Sequence, residues 1–268
     1  MPPPQNASNS SARRVALLAK RYLFAIAGLA YGFSLGLRRG RNRALVAHIA
    51  NHFGYRGVSR GQLPLVAIDE ITSALTPVVI PKARARDGNV SELELLVLAR
   101  LMAERRPLTV LEIGTFDGRT TAALAANAPA AARVLTIDLP ANGVTAPKIE
   151  NRDAGLIAIS RPGTSSLDGA YTSRIEQLYG DSATHDFGDL KVDFAFIDGS
   201  HSYEYVLSDS RRVRAMLRDG RGVIVWHDYG VEWEGVTQAL DELRLEPDFS
   251  RLATIDGTSL AVLDLASK

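Results

Sequence analysis

Cysteine is absent from the 268 residues of this chain. Its absence excludes a disulfide framework, thiolate zinc sites, iron–sulfur clusters and a cysteine nucleophile. It also fits a reducing cytoplasm, which is where we expect the protein to reside. The contents of 46% apolar and 23% charged residues are ordinary for a globular protein. They therefore exclude a wholly disordered chain and a polytopic membrane protein.

Acidic residues are absent from the first 68 positions, and Asp69 is the first carboxylate. Residues 1–60 nevertheless contain ten of the 31 Lys and Arg residues. Residues 1–12 contain few large apolar groups, so we predict a disordered tail there. Residues 13–89 are predicted to be a basic, partly apolar, helical extension.

Residues 23–37 of this extension are apolar and uncharged, and basic residues flank them on both sides. As a helix they would extend about 22 Å, which is less than the roughly 30 Å hydrocarbon core of a bilayer. Gly28, Gly32 and Gly36 are four residues apart, a spacing that lets a second helix approach closely.

Three interpretations of this extension compete. The helix can pack on the body of the protein or on a second subunit, which would make a homo-oligomer. It can instead lie at an anionic membrane face through residues 13–43, since cations flank it and Tyr22 and Tyr31 suit an interface. The protein would then be peripheral on the inner membrane face. Nucleic-acid binding is disfavoured because the basic residues form no continuous stripe, so we expect no such partner.

From residue 90 onward, short β-rich runs alternate with helical patterns. Ser91 and Glu94 form a capping-box pattern before an apolar helical run. Because the strands are continuously apolar, the pattern predicts one doubly wound α/β domain, residues 90–268, with a mostly parallel seven-stranded sheet. Asp256-Gly257 predicts an antiparallel hairpin at one edge. Residues 140–173 are long for a crossover, and part of this segment is predicted to form a lid. The predicted strands are 108–114, 133–138, 175–180, 192–198, 222–228, 251–255 and 259–265, and the predicted helices include 119–127, 202–217 and 234–243.

Ligands of such sheets bind beyond the carboxyl ends of the strands. The first strand runs into the loop from Glu112 to Gly118, where Gly114 and Gly118 permit a tight turn before a helix. Phe116 replaces the second glycine of the Gly-x-Gly-x-x-Gly dinucleotide pattern. Asp138 ends the second strand, where a carboxylate can accept hydrogen bonds from ribose hydroxyls. A glycine-rich turn that binds nothing is the structural alternative.

The segment VLEIGTFDGRTT followed by LTID resembles the first two motifs of class I S-adenosylmethionine-dependent methyltransferases. FIDGSHSYEYVLSD (196–209) and GVIVWHDY (222–229) extend the resemblance to the metal-dependent O-methyltransferases of the catechol and macrolide-sugar types, with cephalosporin hydroxylase-like relatives. The resemblance implies a Rossmann-like methyltransferase fold over residues 90–265, with S-adenosylmethionine as cofactor. The cofactor-binding residues that it implies are Glu112, Gly114, Thr115, Phe116, Gly118, Thr120, Asp138, Asp181, Ser182 and Asp198.

Methyl transfer to a hydroxyl needs help in removing the proton, and a divalent cation can give it as a Lewis acid. Asp198 and Asp228 end neighbouring predicted strands, so their carboxylates can converge on one ion. His201 follows Asp198 by three residues and is the predicted base, since an imidazole titrates near ~6.5. His227 completes the predicted metal set with Asp198 and Asp228. A nitrogen ligand there favours Mn²⁺ over Mg²⁺, unless the ring points away and leaves two carboxylates.

The predicted function is that of an S-adenosylmethionine-dependent O-methyltransferase that acts, with a divalent metal (Mg or Mn), on a hydroxyl of a sugar or small natural-product acceptor. Trp233 lies where an acceptor could stack, or it only contacts the following helix. Two alternatives stay open. One is a non-catalytic cofactor-binding scaffold at a membrane or glycan-assembly complex, and the other is a hydroxylase-like enzyme on the same fold.

Overall fold

The structure is a computed structural model. It describes residues 7–40, 42, 61–73, 75–82, 85, 88–140, 171–230 and 233–266. The chain divides into two compact units, Met1–Gly57 and Val58–Lys268.

The first unit contains helix α1 (Ala7–Gly32), followed by a 3-10 helix (Leu35–Arg38). The Ser34 hydroxyl donates to the carbonyl oxygen of Ala30 at 2.6 Å and so satisfies one of the acceptors that the end of α1 leaves open. Helix α1 includes residues 7–12 of the predicted disordered tail, because extending a helix costs far less than nucleating one. Residues 1–6 lie outside the described residues. Gly36 lies beyond the end of α1, so the predicted stripe of three glycines does not form on one helix.

The second unit is built on a sheet with the strand order β1-β7-β8-β6-β5-β2-β3-β4. All pairs are parallel except β6–β8 and β7–β8, which are antiparallel. The predicted doubly wound, mostly parallel α/β fold is therefore confirmed. The strands are β1 (Leu65–Val66), β2 (Thr109–Ile113), β3 (Arg133–Asp138), β4 (Ile175–Tyr179), β5 (Phe194–Ile197), β6 (Val223–Trp226), β7 (Ala253–Ile255) and β8 (Ala261–Asp264).

Helices cover both faces of the sheet because successive strand side chains point to opposite faces and both sets are apolar. Leu111, Ile197 and Trp226 pack in one core with α5 and α6. Val110, Phe196 and Val225 pack in the other core with α3 and α4. The described α-helices of this unit are α2 (Ile68–Ile71), α3 (Glu92–Arg105), α4 (Arg119–Asn127), α5 (Tyr203–Met216) and α6 (Glu234–Leu243).

The sheet has eight strands in the part of the chain that the structure describes, which is one more than predicted. The additional strand, β1, pairs in parallel with β7 and forms the edge beside the predicted hairpin. This unit therefore begins well before residue 90, inside the segment predicted to be an extension. Leu63 supports the same boundary, since its backbone N–H donates to the Tyr229 hydroxyl at 2.8 Å. A two-residue strand has no periodic pattern by which a sequence could reveal it. The predicted lid lies mostly outside the described residues.

Candidate active site

The carboxyl ends of β2 and β5 meet where the sheet changes winding direction, because β2 pairs with β3 on one side and with β5 on the other. Gly114 follows β2 with a φ of +97°. A Cβ atom at Gly114 would lie 2.0 Å from the backbone oxygen of Asp198, so only glycine fits between the two strand ends. This switch point is where open α/β sheets bind ligands.

The loop after β2 is tied to the end of β3 through Asp138. One carboxylate oxygen of Asp138 accepts from the backbone N–H of Phe116 at 2.9 Å, and the other accepts from that of Leu139 at 2.8 Å. Phe116 adopts a φ of 51°, and Gly118, with a φ of 75°, precedes the first residue of α4. Asp138 and the Gly114–Gly118 loop therefore form one rigid unit at the predicted cofactor site.

Glu112 is fully buried beneath this loop. Its Oε2 accepts from the hydroxyls of Thr121 and Thr136, and the Thr136 contact is 2.6 Å. Burial raises the pKa of Glu112 to about 8, and the nearby charges of Asp198 and Asp138 add to the effect. Among the described residues, the buried Oε1 has no hydrogen-bond partner.

Two other predicted cofactor residues also lie in this region, and both are buried. The Thr115 hydroxyl shares a 2.7 Å hydrogen bond with the Thr136 hydroxyl and accepts from Gln177 Nε2 at 3.0 Å. Thr120 lies in the first turn of α4. Thr115 thus belongs to the polar network that holds Glu112.

The loop after β4 contains Asp181 and Ser182, and both bond to α5. Asp181 Oδ1 accepts from the Tyr205 hydroxyl at 2.9 Å. The Ser182 hydroxyl donates to Asp209 at 3.1 Å, and burial raises the pKa of Asp209 to about 7. These contacts position the loop, and cofactor contact by Asp181 and Ser182 stays a prediction.

Three polar side chains converge where β5 and β6 end. Potential ligand atoms of Asp198, His201 and Asp228 all lie within 4.8 Å of one another. His201 Nε2 lies 2.9 Å from Asp228 Oδ2. Two carboxylates and an imidazole nitrogen are a donor set that divalent cations accept.

His227 lies between carboxylates and outside this set of three. Its Nδ1 is 3.1 Å from Asp198 Oδ1, and its Nε2 is 3.3 Å from Glu94 Oε2. Both ring nitrogens therefore face carboxylate oxygens, an arrangement that favours the imidazolium form of His227. The ring thus lies beside the three converging side chains, and metal ligation by His227 stays a prediction.

The charges of this cluster are mutually dependent. Burial alone would lower the pKa of His227, but Asp228 and Asp198 raise it well above its ordinary value. Burial likewise would raise the pKa values of Glu94 and Asp228, yet the His227 charge holds both below their ordinary values. Burial raises the pKa of Asp198, which His227 only partly counteracts.

Trp233 stacks on His201, with ring centroids 3.9 Å apart and ring planes 11° apart. Trp233 immediately precedes α6, so this helix fixes the orientation of the His201 ring. The stack places Trp233 at the site, on the histidine that we predicted to be the base.

The sequence of this region is similar to a known protein family. Residues 111–229, which run from β2 to just beyond β6 and include this cluster, match a family described as "Methyltransferase domain". This part of the chain is therefore similar to a methyltransferase domain. The match confirms the resemblance to class I S-adenosylmethionine-dependent methyltransferases. No curated protein sequence matches the chain significantly.

Several solved structures are similar to the chain at low identity. Cofactor-bound Rv0187 from MTB is 20% identical, with a TM-score of 0.47, over 69% of this chain and 85% of that one. The S-adenosylhomocysteine-bound methyltransferase PaMTH1 from Podospora anserina is 18% identical, with a TM-score of 0.46, over 67% and 80%. The O-methyltransferase TomG from Streptomyces achromogenes, in complex with S-adenosylmethionine, is 20% identical, with a TM-score of 0.46, over 66% and 81%.

Glu94 contacts His227 in this cluster, whereas the sequence interpretation treated it only as a helix cap. It forms the predicted capping box, since its Oε2 accepts from the Ser91 N–H at 2.7 Å and its own N–H donates to Ser91 Oγ. Its Oε1 also accepts from the N–H and hydroxyl of Ser259, each at 2.8 Å. Glu94 shares a helix face with Leu98 and Leu101, and a carboxylate on an apolar face is the signal that could have indicated a buried role.

Proposed function

We propose that this protein is an S-adenosylmethionine-dependent O-methyltransferase that acts on a hydroxyl group of a sugar or small natural-product acceptor, with a divalent cation. The observation that carries the proposal is the convergence of Asp198, His201 and Asp228 at the switch point of a methyltransferase domain. A base and a cation site beside a cofactor loop are what transfer to a weakly acidic hydroxyl requires.

The loop after β2 has features that suit the cofactor. Each Asp138 oxygen accepts one backbone N–H, and a carboxylate at the end of the second strand of such a sheet suits the ribose hydroxyls. Glu112 Oε1, buried and unpaired among the described residues, suits a polar group at the methionine end. We assign Gly114, Thr115, Phe116, Gly118 and Thr120 to the walls of the same site.

Asp198 and Asp228 suit a divalent cation, and His201 lies close enough to both carboxylates to serve as the base beside it. Two carboxylates this close repel each other, and His227 offsets only part of that charge. A cation bound there would act as a Lewis acid on the acceptor hydroxyl. Hard oxygen donors suit Mg²⁺, and the adjacent imidazole suits Mn²⁺.

His201 is the proposed catalytic base. The imidazole takes the hydroxyl proton, and its Nε2 lies 2.9 Å from Asp228 Oδ2. Asp228 then stabilises the resulting imidazolium. The acceptor oxygen forms a bond to the methyl carbon while the carbon–sulfur bond breaks, and its electron pair stays on sulfur as S-adenosylhomocysteine. Trp233 holds the imidazole plane during this step.

The cytoplasm, which we propose as the location, suits a chain without cysteine.

Calorimetry with S-adenosylhomocysteine tests the cofactor site. We expect saturable binding, and no heat at millimolar ligand would overturn the proposal. Methyl transfer to a panel of sugars and phenols tests the reaction, and mass spectrometry should show the gain of one methyl group. His201→Ala should lower the rate by roughly 100-fold or more. Exhaustive chelation with EDTA should abolish transfer. Unchanged transfer in EDTA would show that no cation takes part, and His201 with Asp228 would then accept the proton alone.

A further inference from the structure

Helix α1 exposes an apolar stripe. Its side chains recur every three or four residues, which places them on one side of the helix. Each is between 49% and 69% exposed, an unusual condition for large apolar groups in a soluble protein. The stripe consists of Val15, Leu18, Tyr22, Ile26 and Leu29.

Basic residues lie on the other side of α1, beside the exposed apolar side chains of Leu17 and Phe24. Lys20 and Arg21 are exposed, and Ala27 and Gly28 continue their side one heptad later. Lys20 Nζ lies 5.9 Å from the centroid of the Phe24 ring, which keeps the ammonium group on this side. Arg13 and Arg14 precede the pair by seven residues in the sequence, and residues 1–60 contain no carboxylate to neutralise any of these charges.

By length and composition, α1 is also able to cross a membrane over Val15–Gly32, where the mean hydropathy is 1.3. Lys20 and Arg21 lie inside that window, so a spanning helix would draw both charges toward the hydrocarbon. The uncharged helical part, Tyr22–Gly32, covers only about 16 Å of a hydrocarbon core roughly 30 Å thick. The arrangement of the charges therefore favours a helix parallel to the membrane.

We propose that α1 binds the surface of an anionic lipid bilayer, with its apolar stripe among the acyl chains and its basic side at the lipid phosphates. Anionic lipid is the occupant that supplies both an apolar layer and the negative charge that residues 1–60 lack. A second copy of α1 would supply apolar surface but would bring like charges together. This proposal goes beyond the proposed methyl transfer and does not depend on it.

Vesicle co-sedimentation of the full-length protein tests the proposal. The vesicles contain phosphatidylcholine alone or mixed with anionic phosphatidylglycerol. We expect binding only to the anionic vesicles, and a decrease of about fivefold in affinity for each charge removed in Lys20→Gln and Arg21→Gln, since a basic residue near such a surface contributes about 1 kcal/mol.

A matched pair of variants separates the two sides of the helix. Ile26→Glu puts a carboxylate in the apolar stripe and should abolish vesicle binding. Ala27→Glu adds the same charge on the side of Lys20 and should weaken binding by no more than the fivefold of one charge. Equal loss in both variants, or equal binding to both kinds of vesicle, would overturn the proposal. A stable dimer that does not bind vesicles would also overturn the proposal. So would a protein that stays with the membrane during extraction at alkaline pH, because that result indicates a spanning helix.

Discussion

His227 Nε2 lies 3.3 Å from a carboxylate oxygen of Glu94, a residue 133 positions earlier in the chain. Glu94 belongs to α3, before the segment that matches the methyltransferase family. Through His227, this carboxylate is connected to Asp198 at the end of β5. The orientation of Asp198 in the site therefore depends on a residue outside the matched segment.

Glu94→Gln should destabilise the protein by about 3 kcal/mol, because it leaves the His227 charge with less compensation in a buried position. The amide keeps the size of the side chain and one acceptor oxygen. Urea denaturation should show the loss as a lower midpoint at an unchanged slope. Glu92→Gln is the matched control on the same helical turn, where the side chain is exposed, and it should change stability by less than about 0.5 kcal/mol. Equal effects of the two substitutions would contradict the role given to Glu94.

Most of the fold was predictable because local patterns determine it. The strand at residues 133–138 and the helices at 119–127 and 234–243 have the predicted bounds. In each of them the period of the apolar residues agrees with the packing on the sheet. β1 was not predictable, since its two residues belong to the sheet only through the backbone of β7.

The site was predictable in its parts but not in its pairings. The topology rule brought Asp198 and Asp228 together, because they follow adjacent parallel strands. The roles of His201 and His227 depend on which carboxylate each ring nitrogen meets. The partner of His227 Nε2 comes from α3, and a side-chain contact across 133 residues leaves no trace in local spacing.

Stability should fall as pH rises from about 4.5 to about 8, in part because of Glu112. Burial raises its pKa from 4.5 to about 8, so in this range the folded protein holds a proton that the unfolded chain releases. Its contribution is complete below the lower value and is lost at a slope of up to about 1.4 kcal/mol per pH unit. Glu112→Gln cannot ionise, so unfolding free energies from urea titrations should show a smaller decrease across this range.

Asp209 titrates in part of the same range, since burial raises its pKa to about 7. The comparison is therefore repeated in an Asp209→Asn background, where the effect of Glu112→Gln should persist. An unchanged pH dependence in both backgrounds would show that Glu112 is ionised in the folded protein.

Trp233→Ala should weaken Mn²⁺ binding by about tenfold if Asp198 and Asp228 hold the cation. Removing the stacked ring frees the His201 imidazole, whose Nε2 contacts Asp228, and groups that orient a metal ligand typically contribute 10- to 100-fold in affinity. Calorimetric titration with Mn²⁺ measures this without an acceptor. Trp233→Phe keeps an aromatic face and should stay within about threefold of the parent protein. Full affinity in Trp233→Ala would show that the stack does not position the histidine.

Gly114→Ala should destabilise the protein by about 3 kcal/mol or more, because two costs add. A left-handed φ costs an alanine about 1 kcal/mol, and its Cβ would also lie 2.0 Å from the backbone oxygen of Asp198. Gly188→Ala is the control: its φ of +55° is also positive, but nothing lies within 4 Å of the added Cβ. Gly188→Ala should therefore lose only the roughly 1 kcal/mol of the left-handed φ.

Urea denaturation of the two alanine variants separates backbone strain from the clash. Both variants have a strained left-handed φ, but only Gly114→Ala also has the clash. Relief of the clash moves the end of β5 away from the end of β2, and with it Asp198. S-adenosylhomocysteine affinity should consequently fall in Gly114→Ala and stay unchanged in Gly188→Ala. Equal destabilisation by the two substitutions would mean that an added Cβ at Gly114 does not clash with the backbone oxygen of Asp198, although the structure places the two atoms 2.0 Å apart. The cofactor loop would then not constrain Asp198.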